Sequence, residues 1–263
     1  MKIGFLGVGN MASAIINGIY DVVGITNIIL CEKIKEKCVP FEEKGAVLVE
    51  SAAELFKKCD YVFLAVKPQQ FFEAVKREDF IESKSVIISI MAGITTEKIE
   101  EVSNLSVIRA MPNAPMMNKL GAVGLCKGKK VTEAEMKVAK ELFEKISVVT
   151  EVSEDKMSAI TALSGSGPAY FYLFTKYIAE YAVKAGIDRE TAEIFAVQTA
   201  LGAADVMKNR PHELDELIKV VKSPNGTTER ALISFEESDL AGIVEKALTA
   251  CEKRADELAL SNN

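Results

Sequence analysis

The chain has no tryptophan, a single histidine, and only seven prolines in 263 residues. The one histidine, His212, stands beside Pro211 in a polar stretch away from any motif. An acid–base histidine is therefore not expected, and His212 reads as a surface residue. The five cysteines (Cys31, Cys38, Cys59, Cys126 and Cys251) are odd in number, scattered, and never in a C-x-x-C pair. That spacing excludes a disulfide framework and a zinc cluster, so no metal site is expected. It suits small apolar core residues in a reducing compartment. No apolar run approaches the ~20 residues of a membrane span. Long runs of one charge are also missing. With 38 acidic against 32 basic residues, a net charge of −6 argues against nucleic acid or an anionic membrane as a partner. No targeting segment is expected ahead of the first apolar run at Ile3, so the expectation is a soluble cytoplasmic protein.

What is present is core-forming material: 49% hydrophobic residues and 27% charged ones, enough for one large domain or two ordinary ones. Up to about residue 150, short β-branched runs alternate with helical stretches. The strand candidates are 2–6, 27–31, 46–49, 61–66, 85–90, 106–110, 121–126 and 146–152. They are apolar on both faces, as central strands of a helix-covered parallel sheet must be. The pattern predicts an α/β, Rossmann-type doubly wound sheet over residues 1–152. From residue 153 to 263 it changes to helical patterns at 154–163, 168–185, 189–208, 211–221 and 228–260, the last broken near Ser238. Gly186 and Asp188 read as a C-cap and an N-cap. The second half is thus expected to be an all-helical domain.

After the first strand candidate comes Gly7-Val8-Gly9-Asn10-Met11-Ala12, a G-x-G-x-x-A fingerprint. Gly7 permits a tight turn, Gly9 lets backbone approach a pyrophosphate, and Ala12 allows close helix–strand packing. The helix starting here would aim its free N–H groups at the phosphates. Such a pattern arises by chance, but its place between a strand and a helix makes dinucleotide binding the stronger reading. The second strand ends at Glu32, where an acid would bond the ribose hydroxyls of NAD and repel a 2′-phosphate. Lys33 and Lys35 follow, and could instead attract that phosphate or simply be solvated. The cofactor is NADPH or NADH, with a slight lean to NADH from Glu32.

Ala65-Val66-Lys67-Pro68 and Met91-Ala92-Gly93-Ile94-Thr95 follow the fourth and fifth strand candidates, where a doubly wound sheet places its ligand crevice. Each is equally well an ordinary strand–helix turn. Leu163 to Tyr170 carries two glycines and a proline inside a helical region, at a cost of roughly 1 kcal/mol per glycine and ~3 for an interior proline. Helix packing and ligand binding explain it comparably. Lys222 to Arg230 joins two helices and ends in threonines at a helix start, which suits a small carboxylate or a plain capped loop.

Together these stretches resemble the pyrroline-5-carboxylate reductase family. The matching pieces are GVGNMA (7–12), FLAVKP (63–68), AGIT (92–95), RAMPNAP (109–115), LSGSGPAY (163–170) and SPNGTTERAL (223–232). The last two are distinctive of the family, and the order holds over nearly the whole chain. The resemblance implies reduction of 1-pyrroline-5-carboxylate to L-proline by a nicotinamide, the final step of proline biosynthesis. It also implies a homodimer through the helical domain, with five dimers assembling into a decamer. Carried onto this sequence, Leu6, Gly7, Val8, Gly9, Asn10 and Met11 cradle the pyrophosphate, to which the position after the second strand adds Glu32 and Lys33 as cofactor-binding candidates. Ala65, Val66, Lys67, Pro68 and Ala92 line the nicotinamide end. Substrate contacts fall to Glu154, Ser223, Gly226, Thr227 and Thr228, with Thr228 in the catalytic role. Two departures bear on cofactor choice: Glu32 where many relatives have small polar or basic residues, and Val220 where some have a polar contact. A β-hydroxyacid dehydrogenase is disfavoured, because its lysine position falls on Phe171. A nucleotide-binding regulator on the same fold is the non-enzymatic alternative.

Overall fold

The computed structural model describes residues 1–210 and 213–261. Pro211, His212, Asn262 and Asn263 lie outside the described residues, and the surface expectation for His212 lies there with them.

By packing, the chain forms two units: residues 1–166 together with the segment from Ala250 onward, and Gly167–Thr249. The stretch 154–163, helical by pattern, thus packs with the sheet.

Eight strands make one sheet: β1 Ile3–Leu6, β2 Ile28–Cys31, β3 Val47–Leu48, β4 Tyr61–Leu64, β5 Val86–Ser89, β6 Val107–Met111, β7 Gly121–Lys127 and β8 Ser147–Glu151. Their order is β3-β2-β1-β4-β5-β6-β7-β8. Neighbours are parallel except β6 and β7, which run antiparallel. Only a 3-10 stretch, Ala114–Asn118, lies within that connection. It is too short for the crossover a parallel pair needs, so the chain turns back on itself. The helices accompanying the sheet are α1 Asn10–Val23, α2 Val39–Glu42, α3 Ala52–Lys58, α4 Phe71–Ala74, α5 Thr96–Ser103 and α6 Glu133–Phe143.

Strand residues alternate between two apolar layers. Ile3, Phe5, Phe63 and Ile88 join one core with Ile15, Ile16 and Ile19 of α1. Leu6, Val62, Leu64 and Ile87 join the other with Leu55 and Phe56 of α3. That double burial is why these strands read as unbroken apolar runs rather than alternating ones. Phe5 and Phe63 stack at 4.7 Å between ring centroids, and Phe143 of α6 meets Phe63 edge-on at 5.8 Å. Such rings supply large buried area and a preferred geometry.

The helical pattern expected at 154–163 is broken in the structure. It consists of a 3-10 turn at Glu154–Lys156, α7 at Met157–Ile160, and one π-helical turn at Thr161–Gly165. Asn113 braces the π turn, donating from Nδ2 to the Ser164 carbonyl at 3.1 Å while its Oδ1 accepts from the Ala122 N–H at 2.9 Å. A helical period in the sequence cannot distinguish these variants, because their apolar faces differ by a fraction of a turn.

The second unit holds α8 Gly167–Lys184, α9 Arg189–Asn209, α10 Leu214–Val221 and α11 Thr227–Glu237, and it includes the start of α12 Leu240–Ser261. Asp188 caps α9 by accepting from the Thr191 N–H at 2.9 Å. Small residues Ala179, Ala192 and Ala196 are buried in this unit. Phe171, Tyr181, Phe195 and Val220 are each at least two-thirds exposed. The helical unit thus leaves a large apolar surface uncovered. Among the described residues, no helix is long and apolar enough to cross a membrane.

Candidate active site

Because β1, β2, β4 and β5 are parallel, their carboxyl ends share one edge of the sheet. β1 has β2 on one side and β4 on the other, so the strand order reverses direction at this point, where open α/β sheets bind ligands.

Leu6 ends β1 in the core, and Gly7 turns the chain at φ +92°. A Cβ at Gly7 would lie 2.8 Å from the Ala65 carbonyl oxygen, so the turn demands glycine on both conformational and steric grounds. The same contact shows that the glycine loop abuts the Ala65 turn. Gly9 precedes α1, and a Cβ there would meet nothing within 4 Å. The start of α1 has no side-chain cap bond and no acidic residue in its first turn. Its orphan N–H groups and positive dipole end therefore face an open position. Asn10 is exposed and Met11 half-buried. This is a cradle that fits a pyrophosphate.

Glu32 closes over the loop. Its carboxylate accepts from the Val8 N–H at 2.8 Å and from the Ile34 N–H at 2.9 Å. Burial works to raise its pKa, but the N–H groups of Ile34 and Val8 outweigh it and hold the carboxyl below its ordinary value. Glu32 is thus anionic at neutral pH. Lys33 is exposed, whereas Lys35 pairs with Glu50 at 3.0 Å. At the next two turns, Ala65, Val66 and Pro68 are half-buried, Lys67 is exposed and Ala92 is half-buried.

Glu154 is in the sheet unit, just beyond β8. It pairs with Arg109 of β6, and its second oxygen accepts from the Thr96 N–H at 3.1 Å and the Thr96 hydroxyl at 2.8 Å. The Cys126 sulfur lies 3.7 Å from that oxygen. Burial, reinforced by the Glu154 charge, pushes the Cys126 thiol up to about 12, so it stays protonated. Sequence pattern missed this cluster. The available signal was a lone arginine within the otherwise apolar VIRAM strand, which must find a partner when buried.

The remaining sequence-derived positions belong to the helical unit. Ser223 to Gly226 form a turn closed by the Gly226 N–H donating to the Ser223 carbonyl at 3.0 Å. Gly226 precedes α11 with no side-chain cap, and Thr227 and Thr228 are its first two residues. Glu229 is turned back toward the loop: it accepts from the Asn225 N–H at 2.7 Å and lies 3.6 Å from Lys222. The first turn of α11 is thereby left with free donors and two hydroxyls.

Sheet, switch point and glycine cradle define a Rossmann-type oxidoreductase using a nicotinamide dinucleotide. A family model described as NADP oxidoreductase, coenzyme F420-dependent, matches residues 2–93, and one described as pyrroline-5-carboxylate reductase dimerisation matches 154–258. The pyrroline-5-carboxylate reductase of Pseudomonas aeruginosa is 36% identical, covering 98% of this chain and 97% of that protein. The solved pyrroline-5-carboxylate reductase of Coxiella burnetii superposes with a TM-score of 0.91 at 35% identity over 98% of both chains. The Plasmodium falciparum pyrroline carboxylate reductase, solved with NADP bound, gives 0.86 at 27% identity, again over 98% of both. The chain belongs to the pyrroline-5-carboxylate reductase family.

Proposed function

We infer that this protein reduces 1-pyrroline-5-carboxylate to L-proline, the last step of proline biosynthesis, with a reduced nicotinamide dinucleotide. Full-length membership in the family supports the reaction. The observation that carries the chemistry is the uncapped start of α1 behind Gly7 and Gly9, with an open position in front of it.

When bound, the reduced nicotinamide supplies the hydride that adds to the C=N carbon. The chain's part is binding and orientation. A protonated cyclic imine is already electrophilic, so no metal and no strong general acid is required of the protein. Leu6 to Met11 hold the pyrophosphate, and Ala65 to Pro68 with Ala92 form the walls at the nicotinamide end. At α11, Ser223, Gly226, Thr227 and Thr228 receive the substrate. The free N–H groups of the helix start take the carboxylate, and the Thr228 hydroxyl bonds the carboxylate or the ring nitrogen.

NADH is the dinucleotide this site favours. Glu32 is ionised at the ribose position, and Lys35, one of the three lysines that follow it, is paired with Glu50. The five cysteines are free thiols, which fits a reducing cytoplasm. Exposed apolar helices in the segment matching a dimerisation model support a homodimer through Gly167–Thr249; the further assembly of five such dimers rests on the family resemblance alone.

The deciding experiment follows loss of reduced-nicotinamide absorbance with 1-pyrroline-5-carboxylate, in parallel with NADH and NADPH. Imine-dependent turnover is expected with both, faster with NADH. Folded protein that binds the dinucleotide yet shows no imine-dependent turnover would refute the reaction.

A further inference from the structure

Arg109 is 4% exposed in the middle of β6, a strand buried along its whole length. A guanidinium in such a place is destabilising by several kcal/mol unless it is paired. Its partner is the Glu154 carboxylate, through Nη1 and Oε1. Its Nε is buried with no hydrogen-bond partner, so the ion pair carries most of the compensation. The second Glu154 oxygen is taken by Thr96, through both N–H and hydroxyl. Thr96 is the first residue of α5, and its N–H is one of the donors a helix cannot satisfy internally. A carboxylate placed there also meets the positive end of the helix dipole. Glu154 thus ties three places together: the interior of β6, the start of α5, and the chain just after β8.

The residues immediately before Thr96 are the turn Met91–Thr95. Gly93 in that turn has φ +73°, and a Cβ on it would lie 3.0 and 3.1 Å from backbone atoms of Leu258 and Ala259 near the end of α12. The turn is therefore confined by backbone on one side, and its exit is held by the Glu154 carboxylate. Both oxygens of Glu154 thus already accept from groups of the chain itself.

We propose that Glu154, acting with Arg109 and Thr96, is a positioning residue that sets the Ala92–Thr95 turn against the nicotinamide ring, and that it does not contact the imine. The proposal rests on the reading above that Ala92 lies at the nicotinamide end. Correct placement of a reacting carbon matters to tenths of an ångström, so a slack turn slows hydride transfer while leaving binding largely intact.

The test compares Glu154→Gln, Thr96→Val and Thr96→Ser in the full-length protein. Glu154→Gln removes the charge that Arg109 needs. Thr96→Val removes only the hydroxyl bond and leaves the ion pair, so it decides the matter if the first variant folds poorly. Both are expected to lower kcat about tenfold, as for loss of one hydrogen bond to a charged group. The KM for the imine should stay within about twofold. The deuterium isotope effect on kcat, with nicotinamide labelled at C4, should rise because hydride transfer has become the slower step. Thr96→Ser, which keeps the hydroxyl, should restore kcat. An imine KM that climbs while kcat holds would mark Glu154 as a substrate contact and overturn the proposal. So would unchanged kcat in folded Thr96→Val. A parent protein without imine-dependent turnover would bring down the reading of the reaction, and this proposal with it.

Discussion

Replacing Glu32 by glutamine separates two effects that the parent combines. Glu32 braces the glycine loop through Val8, its other oxygen being held by the Ile34 N–H, and it places a negative charge where the ribose hydroxyls of a dinucleotide are expected. A glutamine oxygen can accept from one of those N–H groups, but its NH2 then faces the other donor. That mismatch costs about 1–3 kcal/mol and weakens NADH and NADPH alike, because both share the loop. The charge acts differently. Two unit negative charges about 6 Å apart at an effective dielectric of about 20 repel by about 3 kcal/mol. Partial exposure and salt reduce this to about 1–2 kcal/mol. Glu32→Gln should therefore depress both kcat/KM values together, yet shift their ratio toward NADPH by about five- to thirtyfold. Initial rates with both cofactors at fixed ionic strength measure the ratio, and raising the salt should shrink the parent's preference. If both rates fall and the ratio moves less than about twofold, the electrostatic reasoning fails. Glu32 would then be a loop brace only.

Thr228→Ala deletes a hydroxyl beside the free N–H groups of α11, and kcat/KM should drop about tenfold to a hundredfold; an unchanged value would remove Thr228 from the site. Gly7→Ala forces a side chain onto φ +92° and against the Ala65 carbonyl. Isothermal titration should find dinucleotide affinity lost, with the melting temperature lowered by the roughly 1–2 kcal/mol of left-handed strain. Acid should loosen the same loop. The Glu32 pKa is lowered on folding, so its contribution to stability is full above the unfolded value near 4.5 and is lost as pH falls through the lower folded value. Unfolding midpoints along an acid series should show this loss in the parent and not in Glu32→Gln. Phe195→Glu puts a charge on a face of α9 where the ring is 69% exposed. Light scattering should report dissociation toward monomers; an unchanged mass would exclude that face from the interface.

The alternation of apolar runs with helical stretches was legible residue by residue, because central strands buried on both faces leave an unmistakable composition. All eight expected strands are present, most with ends within a residue or two. The reversal of β7 was not legible, since an apolar strand carries no mark of its direction; that depends on the length of the connection and on which edge is free. The segment 154–163 illustrates the same limit. Its helical period was clear, but the 3-10 and π-helical turns are held by contacts with residues far along the chain, Arg109 with Glu154 45 residues on and Asn113 with Ser164 51 residues on.

The sequence alone determined what is chemically local. Gly7 and Gly9 specify the tight turn that precedes α1, and the 223–232 stretch identifies the family. Tertiary structure decided which groups Glu32 and Glu154 bond. Both are acids near strand ends, and their places along the chain do not reveal Val8, Arg109 or Thr96 as their partners. Folding brings Glu32 over two backbone N–H groups at the cofactor loop, and brings Glu154 onto a buried arginine and a helix start. The role of a carboxylate is set by the donors around it, and Val8, Arg109 and Thr96 reach these two only when distant segments pack.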